Sequence, residues 1–229
     1  MIRAVIFDFN GVILDDERLH FELFQEVLAR DGVMMTADDY HNRYLGLDDR
    51  GCFEAALADA GQEAGRDRVD GMIARKATRY FERAAQGLKF FPGAAECLEA
   101  LAGRFPLAIN SGALRPEIEF ALGLINRRDR VAFIVSAEDA ERCKPDPEGY
   151  TLALEGLREV ALPDLSPGEC LVIEDSLAGV ESAKGAGMWA VGVPNTYKPD
   201  ELRAAGADDV VPGLPEFTAD WIGRRFGGV

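Results

Sequence analysis

The sequence predicts an α/β protein in which a parallel sheet is interrupted, after its first strand, by a helical insert. Three observations carry this. Short apolar segments recur with helix-like stretches between them, and some, such as Leu171-Val172-Ile173, are continuous apolar runs, as strands covered on both faces are. The polar residues of interest stand where the segments end, which is the edge at which open α/β sheets bind ligands.

Taken in order, strands are expected at Ala4 to Phe7, Leu107 to Asn110, Val131 to Val135, Leu171 to Ile173, Ala190 to Val193 and Asp209 to Val211. The stretch from Asp15 to Gly87 breaks the rhythm and reads as consecutive helices. Leu19, Leu23, Phe24, Val27 and Leu28 form one helical face, ended by Gly32; Phe53, Leu57 and Ala60 begin a second; Ile73, Ala77, Tyr80 and Phe81 mark a third. Gly87 and Pro92-Gly93 suit the return to the sheet. The expected organisation is a core of residues 1–14 and 91–229 with a helical domain over residues 15–90.

Composition narrows the function. The 229 residues carry a formal net charge of −15, which disfavours nucleic acid and anionic membrane surfaces as partners. No apolar run approaches the roughly 20 residues that span a bilayer, and the chain opens on a strand-like segment, so a cytoplasmic monomer is expected. Cys52, Cys97, Cys143 and Cys170 are widely spaced without a C-x-x-C pair, which suggests neither a zinc site nor a disulfide framework.

Four motifs sit at strand ends. Asp8 follows Val5-Ile6-Phe7 and precedes a glycine-containing turn. Asn110-Ser111-Gly112 follows a second strand, where a hydroxyl and backbone amides at a helix start could hold an anion. Lys144 lies in CKPDPEGY, a turn stiffened by two prolines. Glu174-Asp175 follows the strand CLVI, and adjacent acids after a buried strand are costly unless they meet a cation. Each has an ordinary structural alternative; the order Asp, Ser, Lys, acid pair is what makes them informative together.

In that order they resemble the haloacid dehalogenase-like hydrolase superfamily, in particular its phosphoglucomutase and phosphatase branch with a helical cap. The resemblance implies a Rossmann-like core, Mg²⁺, a small phosphorylated metabolite as substrate and a phospho-aspartyl intermediate. It implies Asp8 as nucleophile, Asn110, Ser111, Gly112 and Lys144 as phosphate contacts, and Asp8, the Asn10 carbonyl, Glu174 and Asp175 around the metal. The Lys144-Pro145 bond can be cis in such proteins. The loop Tyr44 to Arg50 resembles the substrate-selecting loop of this branch, with Arg50 as an anion contact; pairing of Arg50 with an acid is the alternative.

Asn10 departs from the pattern. The resembling phosphatases and mutases carry an acid there, whose side chain protonates the leaving oxygen and then activates water. An amide keeps the backbone carbonyl and loses the proton chemistry, typically worth about 10²–10⁴ in rate. Among its neighbours His20, with Asp15, Asp16 and Glu17, could supply the proton, but for His20 capping or packing at the hinge of the insert is the preferred reading. Dehalogenases and phosphonate hydrolases of this superfamily also lack the acid; the intact acid pair argues against the former, and only Lys76 and Lys89 could serve the imine chemistry of the latter. A phosphatase is expected before a mutase, which needs the acid in both directions. A phospho-ligand binding protein without turnover is the alternative from another class, and a mutase would return if Asn10 were an introduced substitution.

Overall fold

The computed structural model describes residues 1–227. Six strands form one wholly parallel sheet: β1 (Ala4–Phe7), β2 (Leu107–Asn110), β3 (Phe133–Val135), β4 (Cys170–Glu174), β5 (Trp189–Gly192) and β6 (Asp209–Val210). Their spatial order is β3-β2-β1-β4-β5-β6. The chain therefore grows outward from β1 in one direction and then, from β4 on, in the other. The crevice at this reversal, outside the carboxyl ends of β1 and β4, is the natural ligand site of a doubly wound sheet.

Register follows from side-chain alternation. Phe7 lies opposite Ile109 on one side and Ile173 on the other. Ala4, Ile6, Ala108, Val172 and Ala190 share a buried cluster with Tyr150, Leu154 and Val180 from the helices α7 (Glu148–Val160) and α8 (Leu177–Gly185). Val5, Phe7, Leu107, Ile109, Leu171 and Ile173 alternate with them and are equally inaccessible. Both faces are thus covered, which is why these strands read as continuous apolar runs.

The strand expected at Val131 to Val135 begins only at Phe133. A tight turn over Arg128–Arg130 precedes it, and the Val131 amide turns back to the Arg128 carbonyl at 3.4 Å. The remaining helices of this unit are α5 (Ala94–Ala102), α6 (Arg115–Leu124), α9 (Pro199–Ala204) and α10 (Ala219–Phe226).

Two compact units result: residues Met1–Asp15 with Phe90–Val229, and residues Asp16–Lys89. The two ends of the sheet-bearing unit that flank the insertion meet in a bridge between Leu14 and Phe90, so the helical unit is inserted without opening the sheet. That helical unit holds α1 (Glu17–Ala29), α2 (Ala37–Asp39) running into a wide turn over Tyr40–Tyr44, α3 (Asp49–Asp59) and α4 (Arg66–Ala84). Phe24, Val27, Leu28, Phe53, Leu57, Val69 and Met72 fill its own core. Gly32 ends α1 at φ 72°, a left-handed conformation that favours glycine.

The buried stripe of α4 differs from the expected face. Val69, Met72, Lys76, Tyr80 and Ala84 point inward, whereas Ile73, Ala77 and Phe81 are half-buried. Lys76 is fully enclosed. Its Nζ donates to Asp49 Oδ1 at 2.6 Å and to His20 Nδ1 at 2.8 Å, and lies 4.6 Å from the Phe24 ring centroid. A charged side chain is admitted to an apolar stripe because a carboxylate and an imidazole meet it there.

Two stability predictions follow from these contacts. Alanine is favoured over glycine within a helix by about 1 kcal/mol, but a Cβ on Gly156 would lie 2.3 Å from ring carbons of Phe133. Overpacking should win, and Gly156→Ala is expected to lower stability by about 1–3 kcal/mol, read from the urea midpoint. Lys76→Met leaves the Asp49 carboxylate buried without its cation and should cost about 3–5 kcal/mol; pairing it with Asp49→Leu should restore most of the loss in the same titration.

Candidate active site

Asp8 is the first residue beyond β1. Its amide donates to the Ile173 carbonyl at 2.9 Å, which extends the β1–β4 pairing by one residue and brings Asp8 beside the end of β4. Glu174 closes β4 and Asp175 follows it; all three acids are buried, at 6 %, 0 % and 4 % exposure. Among the described residues these three form a group whose ligand oxygens all lie within 4.8 Å of one another. The turn after Asp8 must pass very close to them. A Cβ on Gly11, whose φ is 87°, would lie 2.1 Å from Asp175 Oδ2, so only glycine fits on grounds of both space and backbone.

Lys144 reaches this cluster from the loop before α7. Its Nζ donates to Asp8 Oδ1 at 2.5 Å and to Glu174 Oε1 at 2.6 Å. The Lys144-Pro145 bond is cis. Glu174 is the most heavily bonded of the acids. Oε1 also accepts from the Tyr150 hydroxyl at 3.0 Å, while Oε2 accepts from the amides of Asp175 and Ser176 and from the Ser176 hydroxyl. A Cβ on Gly179 would collide with this carboxylate at 1.7 Å, so the first turn of α8 is shaped around it.

The electrostatics are unbalanced. Three carboxylates share one ammonium, and the excess negative charge is buried. Burial, with repulsion from Glu174, pushes Asp8 from its ordinary 3.8 up to about 7 despite the opposing pull of Lys144. Burial likewise holds Asp175 well above the carboxylate range, with repulsion from Glu174 and Asp8 adding to it. Lys144 is held firmly protonated: its burial works against the charge, and Asp8 and Glu174 outweigh that burial. A pocket of oxygen donors with surplus negative charge fits a hard divalent cation such as Mg²⁺.

Asn110 and Ser111 end β2 next to β1. The Ser111 hydroxyl donates to Asn10 Oδ1 at 3.1 Å and accepts from the Ala113 amide at 3.1 Å, so Asn10 and Ser111 are brought together directly. The expected helix start is not there. α6 begins at Arg115, and the Ser111 amide is used on the Val135 carbonyl at 3.0 Å; the hydroxyl and not that amide is what Ser111 can offer an anion. Gly112 is exposed in the turn between them. Asn110 Nδ2 is a buried donor with no partner among the described residues, and Asn110 Oδ1 lies where a Cβ on Gly149 would be, 2.3 Å away.

The remaining expected residues lie in the helical unit. His20 is spoken for at both ring nitrogens. Lys76 can only donate, so Nδ1 accepts from it, and Nε2–H donates to Asp16 Oδ2 at 3.0 Å. The Tyr80 hydroxyl also donates to Asp16 Oδ2 at 3.0 Å, and the Tyr80 ring stacks on the imidazole at 5.3 Å. His20 is therefore a packed histidine. Arg50, expected as an anion contact, pairs with Asp70 of α4 and lies 3.8 Å from Glu54 of its own helix. Lys76, one of two lysines that could have formed an imine, is an ammonium held by Asp49.

Four residues around the cluster escaped the sequence reading: Tyr150 and Ser176 on Glu174, Thr196 on Asp175, and Asn195 on the Gly11 carbonyl at 2.7 Å. The one signal for the last two was their place just beyond β5, at the carboxyl edge where the other site residues stand.

Residues 5–193 match the haloacid dehalogenase-like hydrolase family. The chain is 30% identical to protein CbbY of Rhodobacter capsulatus over 93% of its length and 99% of that protein's. It is 31% identical to a phosphorylated carbohydrates phosphatase of Thermotoga maritima over 82% of each chain. The fold superimposes with a TM-score of 0.81, at 26% identity over 94% of this chain and 96% of the other, on an Asp-to-Asn mutant of CbbY from Rhodobacter sphaeroides in complex with xylulose-(1,5)bisphosphate. With the acid cluster at the switch point of a parallel sheet, these matches lead to one conclusion: the chain belongs to the haloacid dehalogenase-like hydrolases and is a phosphoric monoester hydrolase.

Proposed function

We propose that this protein is a Mg²⁺-dependent phosphatase of a small phosphorylated sugar, working through a phosphorylated Asp8. The observation that carries the reading is the buried excess of negative charge formed by Asp8, Glu174 and Asp175 around the single Lys144. Phosphorylated carbohydrates in the names of similar proteins support the substrate class.

Asp8, Asp175 and the backbone carbonyl of Asn10 would hold the cation, with Glu174 nearby but largely committed to Lys144, Tyr150 and the Asp175–Ser176 turn. A bound Mg²⁺ would offset the negative charge that a phosphate brings to these acids. Lys144 fixes the Asp8 carboxylate through Oδ1 and supplies a positive charge to the phosphoryl oxygens. Ser111 and Asn110 offer donors beside Asn10 for the same oxygens. A carboxylate oxygen of Asp8 attacks phosphorus, the bond to the sugar oxygen breaks with its electron pair going to that oxygen, and the oxygen takes up a proton from water as it leaves. Water then attacks the phosphorus of phospho-Asp8, releasing inorganic phosphate and restoring the carboxylate.

Asn10 changes the balance of these steps. Its amide can accept the Ser111 hydrogen bond as a carboxylate would, but it cannot give or take the proton of either step. Departure of a good leaving group needs little protonation, whereas the water that attacks phospho-Asp8 still needs a base. His20 has no ring nitrogen to spare for the task. A mutase is not favoured, because it would need that proton transfer in both directions.

Two measurements test this. With an acyl or aryl phosphate, a burst of product equal to the enzyme concentration should precede slow turnover, with phosphate trapped on Asp8. Asn10→Asp should raise steady turnover by about 10²–10⁴ and merge the burst into it. Turnover equally fast in both proteins, without a burst, would show that another group serves as base. Absence of phosphate release from every phosphorylated sugar, in both proteins, would favour the reading of a phospho-ligand binding protein.

The second measurement uses pH. Asp8 has a folded pKa of about 7 against an ordinary 3.8, so between these values the metal-free folded protein holds a proton that the unfolded chain releases. Stability of the EDTA-treated protein should decline as pH rises through this window, and a cation should relieve the penalty. The gain in thermal midpoint on adding Mg²⁺ is therefore expected to be larger at pH 8 than at pH 5. An equal gain at both values would contradict it.

A further inference from the structure

The loop after β5 carries two consecutive side chains that act on neighbouring parts of the acid cluster. Asn195 Nδ2 donates to the Gly11 carbonyl at 2.7 Å, and the Thr196 hydroxyl donates to Asp175 Oδ2. The loop is itself anchored to the site: the Val193 amide donates to the Glu174 carbonyl at 2.8 Å, and the Asn195 amide returns to the Val193 carbonyl at 2.8 Å. Gly11 and Asp175 already approach closely, since a Cβ on Gly11 would lie 2.1 Å from Asp175 Oδ2. One short segment therefore ties the turn that contains the Asn10 carbonyl to the carboxylate facing it.

We propose that Thr196 is a positioning residue for the cation site, fixing the rotation of the Asp175 carboxylate so that Oδ1 is left to the metal, while Asn195 holds the Asn10-Gly11 turn against it. This rests on the reading of Asp8, Asp175 and the Asn10 carbonyl as cation ligands. A carboxylate attached by a single bond can turn about its last torsion, which is broad and shallow. A hydrogen bond to one oxygen removes that freedom and decides which oxygen faces the ion. Such outer contacts commonly govern metal affinity by about 10–100-fold, although they never touch the metal. Neither residue carries charge, so their effect is on geometry and not on the net charge of the site.

The test is binding of Mn²⁺ to protein stripped with EDTA, followed by the electron paramagnetic resonance signal of the free ion. Wild type should bind one Mn²⁺ in the site, and Asp175→Asn should abolish that binding. Thr196→Val, which keeps the shape and removes the hydroxyl, should weaken it by about 10–100-fold, while Thr196→Ser should stay within about threefold of wild type. Asn195→Ala should weaken it in the same direction. Circular dichroism melts in EDTA show whether each variant is folded, and Thr196→Ala carries the same expectation should the valine variant not fold. Wild-type affinity in Thr196→Val or Thr196→Ala, or a serine variant as weak as valine, overturns the positioning role and leaves the cation site standing. No Mn²⁺ binding by wild type, or binding that survives Asp175→Asn, overturns both.

Discussion

The ammonium of Lys144 lies between Asp8 and Glu174, and most of the site is organised by the need to keep those charges out of water. Acids buried at the end of a sheet are expensive, and a single lysine cannot neutralise three of them. The protein answers with hydrogen bonds where it can. Glu174 receives donors on both oxygens from Lys144, Tyr150, Ser176 and the backbone, and so becomes a fixed part of the framework. Asp8 and Asp175 are left with less. Their raised pKa values express the same deficit as a preference for a proton, and a cation competes for that place.

This division explains the positions of several glycines and of the surrounding loops. Gly11 and Gly179 lie where any side chain would strike Asp175 or Glu174, and Gly149 leaves room for the Asn110 amide. The site residues come from five stretches of the chain: the ends of β1, β2 and β4, the loop before α7 with the start of that helix, and the loop after β5. Parallel strands deliver these stretches to one edge, and the reversal of strand order at β1 and β4 opens the space between them. The fold and the charge problem are therefore linked, since the same edge that gathers the acids also gathers the donors that restrain them.

The helical unit solves a smaller version of the problem in a different way. Lys76 is wholly enclosed in the buried stripe of α4, with Asp49 as counter-ion and with His20, Asp16 and Tyr80 continuing the network. Here Lys76, Asp49 and Asp16 each meet a hydrogen-bond partner within the unit. His20, for which the sequence favours a packed place over a role as base, serves there as a hydrogen-bond relay between a lysine and a carboxylate. Asn10 is left without that substitute, and its amide meets Ser111 in its place.

Much of the fold was legible in the residues themselves. Continuous apolar runs such as Val5-Ile6-Phe7 and Leu171-Val172-Ile173 declare strands covered on both faces, and the helical spacing of apolar residues between Asp15 and Gly87, such as Leu19, Leu23, Phe24, Val27 and Leu28, declares the helical insert. Asp8, Lys144, Glu174 and Asp175 could also be singled out as candidates, not one by one, since each has an ordinary alternative, but by their order along the chain and the resemblance that order carries. What the sequence could not carry is which side chains face one another across long separations. Lys76 could be named only as a candidate for imine chemistry, because the sequence does not show the partner that holds it, and Asp49 lies 27 residues away. Thr196 and Asn195 are ordinary loop residues until β5 is laid beside β4 and brings them to Asp175 and Gly11. Local pattern determines secondary structure and burial, since both depend on neighbours within a few residues. Partners in hydrogen bonds and ion pairs depend on strand order and register, and only the tertiary structure decides those.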